Sequence, residues 1–377
     1  MQFIGIDLHT NKFTCCYRDD KASPDEKAEK RIRTFSLVDP MSMMDFYTTL
    51  TADSYVLLEA TITTFAFVRL IQPLVKEVIV ANTYELKQIS LARKKTDKVD
   101  ADTLCRILKM QALSGETAIS PVTVPPKGIQ ELRALFTTYR LLKKQTTQDK
   151  NRIHSLLKEQ LYGYTQEKIF GKKSRKAVRM LESGSVMSFQ INLMLDQLEA
   201  KEDAIESLKG KIMELAEPYM NEITLLTSMK GISVFTAIAI IADIISVDRF
   251  KDAKSFTSYL RSAPRVESSN TTTHMKGTNK KGRKLSATLI SQSLNHMLAG
   301  SPKLNRWYMR LTQYKKAGLV RTALRRRVFA EIYQMLKKEE FHYDRMGPRH
   351  QAKIVDYMKF LKEREKIIKT DKIIKIA

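Results

Sequence analysis

Four carboxylates stand where a carboxylate needs a reason. Asp7 ends the apolar run Phe3-Ile4-Gly5-Ile6, and Glu59 ends a second run, Tyr55-Val56-Leu57-Leu58. Asp97 and Asp100 follow Thr96 and lie three residues apart. A carboxylate at the end of a central strand cannot stay charged in an apolar core without a cation, hydrogen bonds or an open mouth. Asp97 and Asp100 would share one face of a helical turn and both gain from the helix dipole. Each acid also has an ordinary explanation, since Asp97 as an N-cap with Asp100 in the first turn is how many helices begin. Asp102 and Glu85 are nearby in sequence and keep the membership of the group open. If the four converge, they repel unless divalent metal neutralises them, and oxygen-only ligation suits Mg²⁺ or Mn²⁺. Two such ions stabilise the attacking and leaving oxygens of a phosphoryl displacement.

The elements that must position these acids read as α/β. Phe3 to Ile6 and Phe13 to Tyr17 form a strand, a tight turn and a hairpin partner. Residues 53–60 and 77–82 read as further strands and residues 65–71 as a helix. The next helix starts near Thr96 and carries Ala101, Leu104, Cys105, Leu108 and Met110. Ser120 to Gly128, with Pro121, Pro125 and Pro126, is a linker. A long helical stretch follows from about 129 to 161. A second long helix carries the seam Ile191, Met194, Leu198, Lys201, Ile205, Leu208, Ile212 and Leu215, in steps of three and four. Lys201 is its polar exception. The seam can pack on the 129–161 helix of the same chain or on another subunit.

Composition changes again from Tyr219. Leu225 to Asp243 holds a turn at Gly231 and an apolar helix. Residues 262–273, rich in Ser, Thr and Asn, read as a loop, and Lys280-Lys281-Gly282-Arg283-Lys284 as a basic turn. A helix over Arg321 to Lys338 carries Arg325, Arg326 and Arg327. The tail from Phe341 is polar and basic, helical around 354–368. The expected division is 1–120 (α/β, acidic site), 121–218 (long helices), 219–340 (mainly α) and 341–377 (basic tail).

The 377 residues hold 65 Lys and Arg against 41 Asp and Glu, a formal charge of +24. Self-repulsion of that size suits a polyanionic partner, nucleic acid before an anionic membrane surface. Lys280, Lys281, Arg283, Lys284, Arg325, Arg326 and Arg327 are the candidate phosphate contacts, with Trp307, Tyr308 and Tyr314 near for stacking. No apolar run reaches the roughly 20 residues that span a bilayer. The N-terminus lacks a basic segment leading an apolar one, so a cytoplasmic protein is expected. Cys15, Cys16 and Cys105 make no CxxC pair and no ligand cluster with the six histidines, which points to a reducing compartment and no structural zinc.

Ile4-Gly5-Ile6-Asp7, Leu58-Glu59-Ala60-Thr61 and Lys95-Thr96-Asp97-Lys98-Val99-Asp100-Ala101 resemble the RuvC-like (RNase H-like) domain of the DEDD insertion-sequence transposases. These are related to the Piv-type DNA invertases and described as bridge-RNA-guided recombinases. Met229-Lys230-Gly231-Ile232, Arg249-Phe250, Pro264, Ser268-Ser269 and Lys281-Gly282 resemble that family's C-terminal transposase domain, and the long helices its coiled-coil insertion. The resemblance implies that Asp7, Glu59, Asp97 and Asp100 bind Mg²⁺ (Mn²⁺ as substitute). It implies a serine nucleophile, mapping to Ser269 with Ser268 as fallback, that forms a transient phosphoserine link to double-stranded DNA. It also implies a guide (bridge) RNA and a homo-oligomer, dimer or tetramer. The sequence departs from the family where its Gly-Leu-x-Pro segment stands as Arg261-Ser262-Ala263-Pro264 and where Asn270 replaces the glycine after the serine. Other readings are a protein-guided invertase, a RuvC-like nuclease that hydrolyses with water, and a non-catalytic nucleic-acid-binding protein.

Overall fold

Gln2–Leu8 (β1) and Lys12–Asp19 (β2) pair antiparallel, with Ile4 opposite Tyr17 and Asp7 opposite Thr14. Arg31–Ser36 (β3) extends the sheet on the β2 side. Pro40–Thr48 (α1) follows, with Asp39 accepting from the amides of Met41 and Ser42 as N-cap. Ser54–Glu59 (β4) runs parallel to β1; Thr64–Ile71 (α2) and Glu77–Ala81 (β5), parallel to β4, come next. The sheet order is β3-β2-β1-β4-β5. In this computed structural model the chain is described except for residues 21–30, 84, 85, 87–95, 160–168, 181–184, 270, 271, 280, 344–346 and 375–377. For residues 185, 265–269, 272–276 and 368–374 the backbone alone is described.

The chain divides into two compact units, Met1–Pro125 and Pro126–Ala377. In the first, β1 is buried on both faces, which is why it reads as a continuous apolar run rather than an alternating one. One face sets Ile4, Ile6, Phe13, Val56 and Leu58 against Phe46 of α1 and Phe67 and Ile71 of α2. Phe13 meets the edge of Phe46 at 4.7 Å between ring centroids. The other face sets Phe3, Cys16 and Leu57 against Ala101, Leu104, Cys105 and Leu108 of a long helix, Asp97–Ser114 (α3). The strand β3 and helix α1 add to the elements expected from sequence. β3 is an edge strand whose Arg31 and Arg33 interrupt the apolar pattern.

Gly5 fixes how closely α3 approaches. A Cβ there would collide with the Ala101 carbonyl oxygen and the Cys105 amide nitrogen, both main chain. The Cys105 thiol donates to the Phe3 carbonyl at 3.2 Å and fastens the same contact. With no side chain between them, the N-terminal turn of α3 is carried toward the C-terminal end of β1.

The second unit opens with Lys127–Glu159 (α4), a short helix Lys172–Arg179 (α5) and Ser185–Leu215 (α6). The seam of α6 faces α4 of its own chain. Ile153, Leu156 and Leu157 pack on Ile191, Leu195 and Leu198, while Ile129 and Leu132 share a core with Ile212, so the two helices run antiparallel. Lys201 reaches Asp149 across them at 2.7 Å. Lys201→Leu should therefore destabilise the unit by about 1–3 kcal/mol, because Asp149 is left buried without its cation. Adding Asp149→Leu should restore most of the melting temperature; a double variant no better than the single one would refute the pairing.

Beyond α6 come Met220–Thr227 (α7), Val234–Ile244 (α8) and Ala253–Tyr259 (α9). Thr236 through Ile244 are all buried, so α8 is the helix around which this unit packs. The segment expected as a loop is instead a hairpin. Pro264–Ser269 (β6) pairs antiparallel with Thr272–Thr278 (β7), Ser269 opposite Thr272. Its Val266 and Thr272, Thr273 and Thr278 are β-branched and suit strands, though few residues are apolar. Leu285–Gly300 (α10), Pro302–Thr312 (α11) and Ala317–Lys338 (α12) follow.

The basic tail forms a helix, Gly347–Ile374 (α13), with a structural task. His350 bonds the Thr224 carbonyl at 2.8 Å, and Lys353 donates to the carbonyls of Thr227 and Ile232 at 2.9 and 2.8 Å. Tyr357, buried, donates to the Met213 carbonyl at 2.7 Å. The three side chains share one helical face and fasten α13 to the carbonyl ends of α6 and α7 and to the turn that follows α7. Among the described residues no helix is long and apolar enough to cross a membrane.

Candidate active site

The N-terminal site is built where β1 and β4 end. Ile6 and Leu58 are register partners in parallel strands, so Asp7 and Glu59, the next residue on each, emerge side by side at one sheet edge. The helix α3 delivers its first turn there. Thr96, not Asp97, is the N-cap: its hydroxyl accepts from the Val99 amide. Asp97 and Asp100 are thereby freed to sit in the first turn.

Asp7 and Asp97 come together with a residue that carried no signal in the sequence, His9. Its Nε2 lies 3.2 Å from Asp7 Oδ2 and 3.4 Å from Asp97 Oδ1. One ligand atom from each of Asp7, His9 and Asp97 falls within 4.8 Å of the others. Lys12, closing the β1–β2 turn, holds Asp97 Oδ2 at 2.9 Å. Asp100 is close enough to act on Asp7 through its charge. Glu59 occupies the same edge by register but does not belong to the tight three-residue group. Asp102 points away, to Arg18 at 2.8 Å, and drops out as an alternative. Glu85 lies outside the described residues.

The electrostatics separate the two central carboxyls. Burial pushes Asp7 above the usual carboxylate range; His9 pulls it back, and Asp100 and Asp97 push it further up. The hydrogen bond from Lys12 holds Asp97 below its usual value. Crowded carboxylates, one of them buried and resisting ionisation, are what a divalent cation relieves. Two carboxylates and an imidazole form a chemically sound donor set for one.

The second unit holds the other candidates. Ser268 and Ser269 lie in β6 opposite Thr273 and Thr272; their side chains lie outside the described part, as do Lys280 and Asn270. Lys281 and Lys284 are exposed at the basic turn. Gly282, at φ +94°, lets that turn cross Tyr259, where a Cβ would strike the main chain. Arg283 is committed inward, to buried Asp243 at 3.0 Å, whose other oxygen accepts from the amide and hydroxyl of Ser286 at 2.9 and 2.7 Å. Arg325 bonds Ser262, Ser291 and the Arg261 carbonyl. Arg327 pairs with Glu331 and stacks its guanidinium over Trp307 at 5.1 Å. Arg326 is half-buried on the same helix.

Two family models match the chain. One, an IS110 DEDD transposase model, matches residues 4–161, from β1 through α4, and so includes Asp7, Glu59, Asp97 and Asp100. The other, described as Transposase IS116/IS110/IS902 family, matches residues 223–308, which carry the β6–β7 hairpin and the basic turn. The chain belongs to the IS110-type DEDD transposases. No curated protein matches it. The transposase therefore acts on DNA, as its charge suggested, and its family implies a divalent metal, which the cluster at the β1 edge fits. His9 and Lys12 were missed because one histidine and one lysine in a turn make no motif. Only the curl of the turn brings them onto the acids.

Proposed function

We propose that this transposase cuts and rejoins DNA strands through a covalent serine–DNA intermediate at Ser269, supported by Mg²⁺ held by Asp7, Glu59, Asp97 and Asp100 in a RuvC-like domain. The observation that carries this is the convergence of Asp7, Asp97 and His9, with Asp100 beside them, at one sheet edge of a chain whose family is DNA transposases. A bound divalent cation would supply charge neutralisation at the reacting phosphate. The chain's own residues do the rest. Asp7 and Asp97 present oxygen ligands, with Lys12 steering the Asp97 carboxylate. Ser269 Oγ bonds to phosphorus as the bond from phosphorus to the departing strand end breaks. The proton lost by the hydroxyl ends on the departing oxygen. The phosphodiester energy is thereby conserved for rejoining without ATP. We further propose that a guide RNA selects the DNA sites, since no base-reading pattern is visible, and that the working form is a homo-oligomer.

The deciding experiment is trapping of a protein–DNA adduct after RNA that co-purifies with the full chain has been sequenced and used to design substrates. The wild type should yield an adduct resistant to boiling in detergent. Ser269→Ala should yield none and lose strand breakage by more than about 10³-fold. Adduct lost in Ser268→Ala but kept in Ser269→Ala would move the nucleophile to Ser268. Strand breakage without adduct in both serine variants, with Asp7→Asn inactive, would instead establish a hydrolytic nuclease.

A further inference from the structure

The second unit contains a cavity of about 530 Å³ whose lining includes Arg261, Thr278, Lys284, Ser291 and Arg325. That lies within the size range of built ligand sites, roughly 300–1,000 Å³. Three cations from three different elements line it, and no acid does. Among the described residues none of the three is paired with a carboxylate. Arg325 is the clearest case: its guanidinium is locked by Ser262, Ser291 and the Arg261 carbonyl at 3.0, 3.0 and 3.1 Å, all neutral acceptors. Burial alone lowers its pKa, with no anion opposing it. A half-buried cation without a counter-charge is a cost that an incoming anion removes.

Arg261 makes the case independently. Its φ is +52°, a left-handed backbone that glycine adopts freely and that costs other residues roughly 1–2 kcal/mol. The transposase tolerates that strain and gains a guanidinium at the cavity. The guanidinium is aimed by a single bond from Nε to the Gly282 carbonyl at 2.7 Å. Strain of this kind is kept where the side chain has work to do.

We propose that this cavity is a phosphate-binding pocket that grips a phosphodiester of a bound nucleic-acid strand through Arg261, Lys284 and Arg325. It lies at the base of the β6–β7 hairpin, where Pro264 pairs with Thr278; Ser269 lies at the other end. The proposal rests on the chain being a nucleic-acid enzyme, but not on Ser269 or the metal.

The test is equilibrium binding of labelled thymidine DNA and uridine RNA oligonucleotides to the full chain in EDTA, across roughly 50–200 mM salt. Arg261→Gly and Lys284→Gln are compared with Lys359→Gln, an exposed lysine on α13. Each pocket variant should weaken binding several-fold and flatten the log–log salt slope by about 0.7, the value for one lost single-strand phosphate contact. The double variant should flatten it little further, because both cations hold one phosphate. Arg261→Gly should melt no lower than wild type, so a loss of binding cannot be a loss of fold. Weakening for DNA only, or RNA only, identifies the strand the pocket holds; weakening for both means the shared phosphate is what it reads. Pocket variants that behave like Lys359→Gln on both strands overturn the proposal. Cleavage and adduct formation are not read, so failure here and failure of the Ser269 chemistry are separable.

Discussion

Asp7→Asn should abolish strand breakage and, in the same molecule, make the N-terminal unit more stable. The loss of activity, by at least about 10³-fold, follows from removing the carboxylate at the centre of the group that would hold metal. The gain in stability follows from burial. Asp7 is 9% exposed, and burial raises its carboxyl pKa over that of an unfolded chain. A carboxyl whose folded pKa is raised contributes full stability below the unfolded value and loses it as pH rises through the folded value. Wild type and Asp7→Asn should therefore melt together in acid. Above the ordinary carboxylate range the variant should lead, by about 2–4 °C for each kcal/mol removed. Melting curves in EDTA from acid to neutral pH measure this. A variant that melts below wild type at neutral pH would mean that Asp7 is a structural anchor rather than a strained ligand.

Gly5→Ala should be among the most damaging single-methyl changes in the chain, and the one that reaches the acidic site. The added carbon meets the main-chain atoms of Ala101 and Cys105, so no trimming of a neighbouring side chain can accommodate it. Either α3 lifts off the sheet or β1 distorts. Overpacking of a rigid contact costs about 1–3 kcal/mol, and the 0.5–1 kcal/mol gained by replacing glycine in a strand does not offset it. The functional effect should be larger than the structural one. Asp97 and Asp100 ride on α3 and Asp7 on β1, so any displacement separates the acids. A misplacement of about 1 Å can cost roughly 10²-fold. Mn²⁺ titration followed by electron paramagnetic resonance should show weakened binding in protein that is still folded at low temperature. Unchanged Mn²⁺ affinity would mean that the closeness of α3 to β1 does not set the site.

Much of this architecture could be read before any coordinates. β1 and β4 are short apolar runs that stop at an acid, and their register follows from being buried neighbours. The N-terminal turn of α3 announced itself through Thr96 and the acid pair. The α4–α6 hairpin was visible in the heptad steps, and its choice of partner was not, because an intramolecular seam and an intermolecular one need the same apolar spacing. What escaped had physical reasons. β3 alternates arginine with apolar residues, as an edge strand should, and therefore looks like a charged loop. The β6–β7 hairpin holds Ser, Thr and His where strands usually show larger apolar groups. His9 joined the site through a turn, and Arg261 revealed its role only when its backbone proved left-handed.

The clamp made by His350, Lys353 and Tyr357 also sets an order of events during synthesis. Tyr357 is made 144 residues after the Met213 carbonyl it binds, and His350 and Lys353 come more than 120 residues after theirs. Until the ribosome has passed Tyr357, the carbonyls of Met213, Thr227 and Ile232 lack these donors and the core face that Tyr357 covers is open. The N-terminal unit needs nothing from that far along the chain. A transposase emerging from the ribosome thus acquires its acidic cluster early and its closed second unit late. Nascent chains should present exposed apolar surface to chaperones through most of their translation.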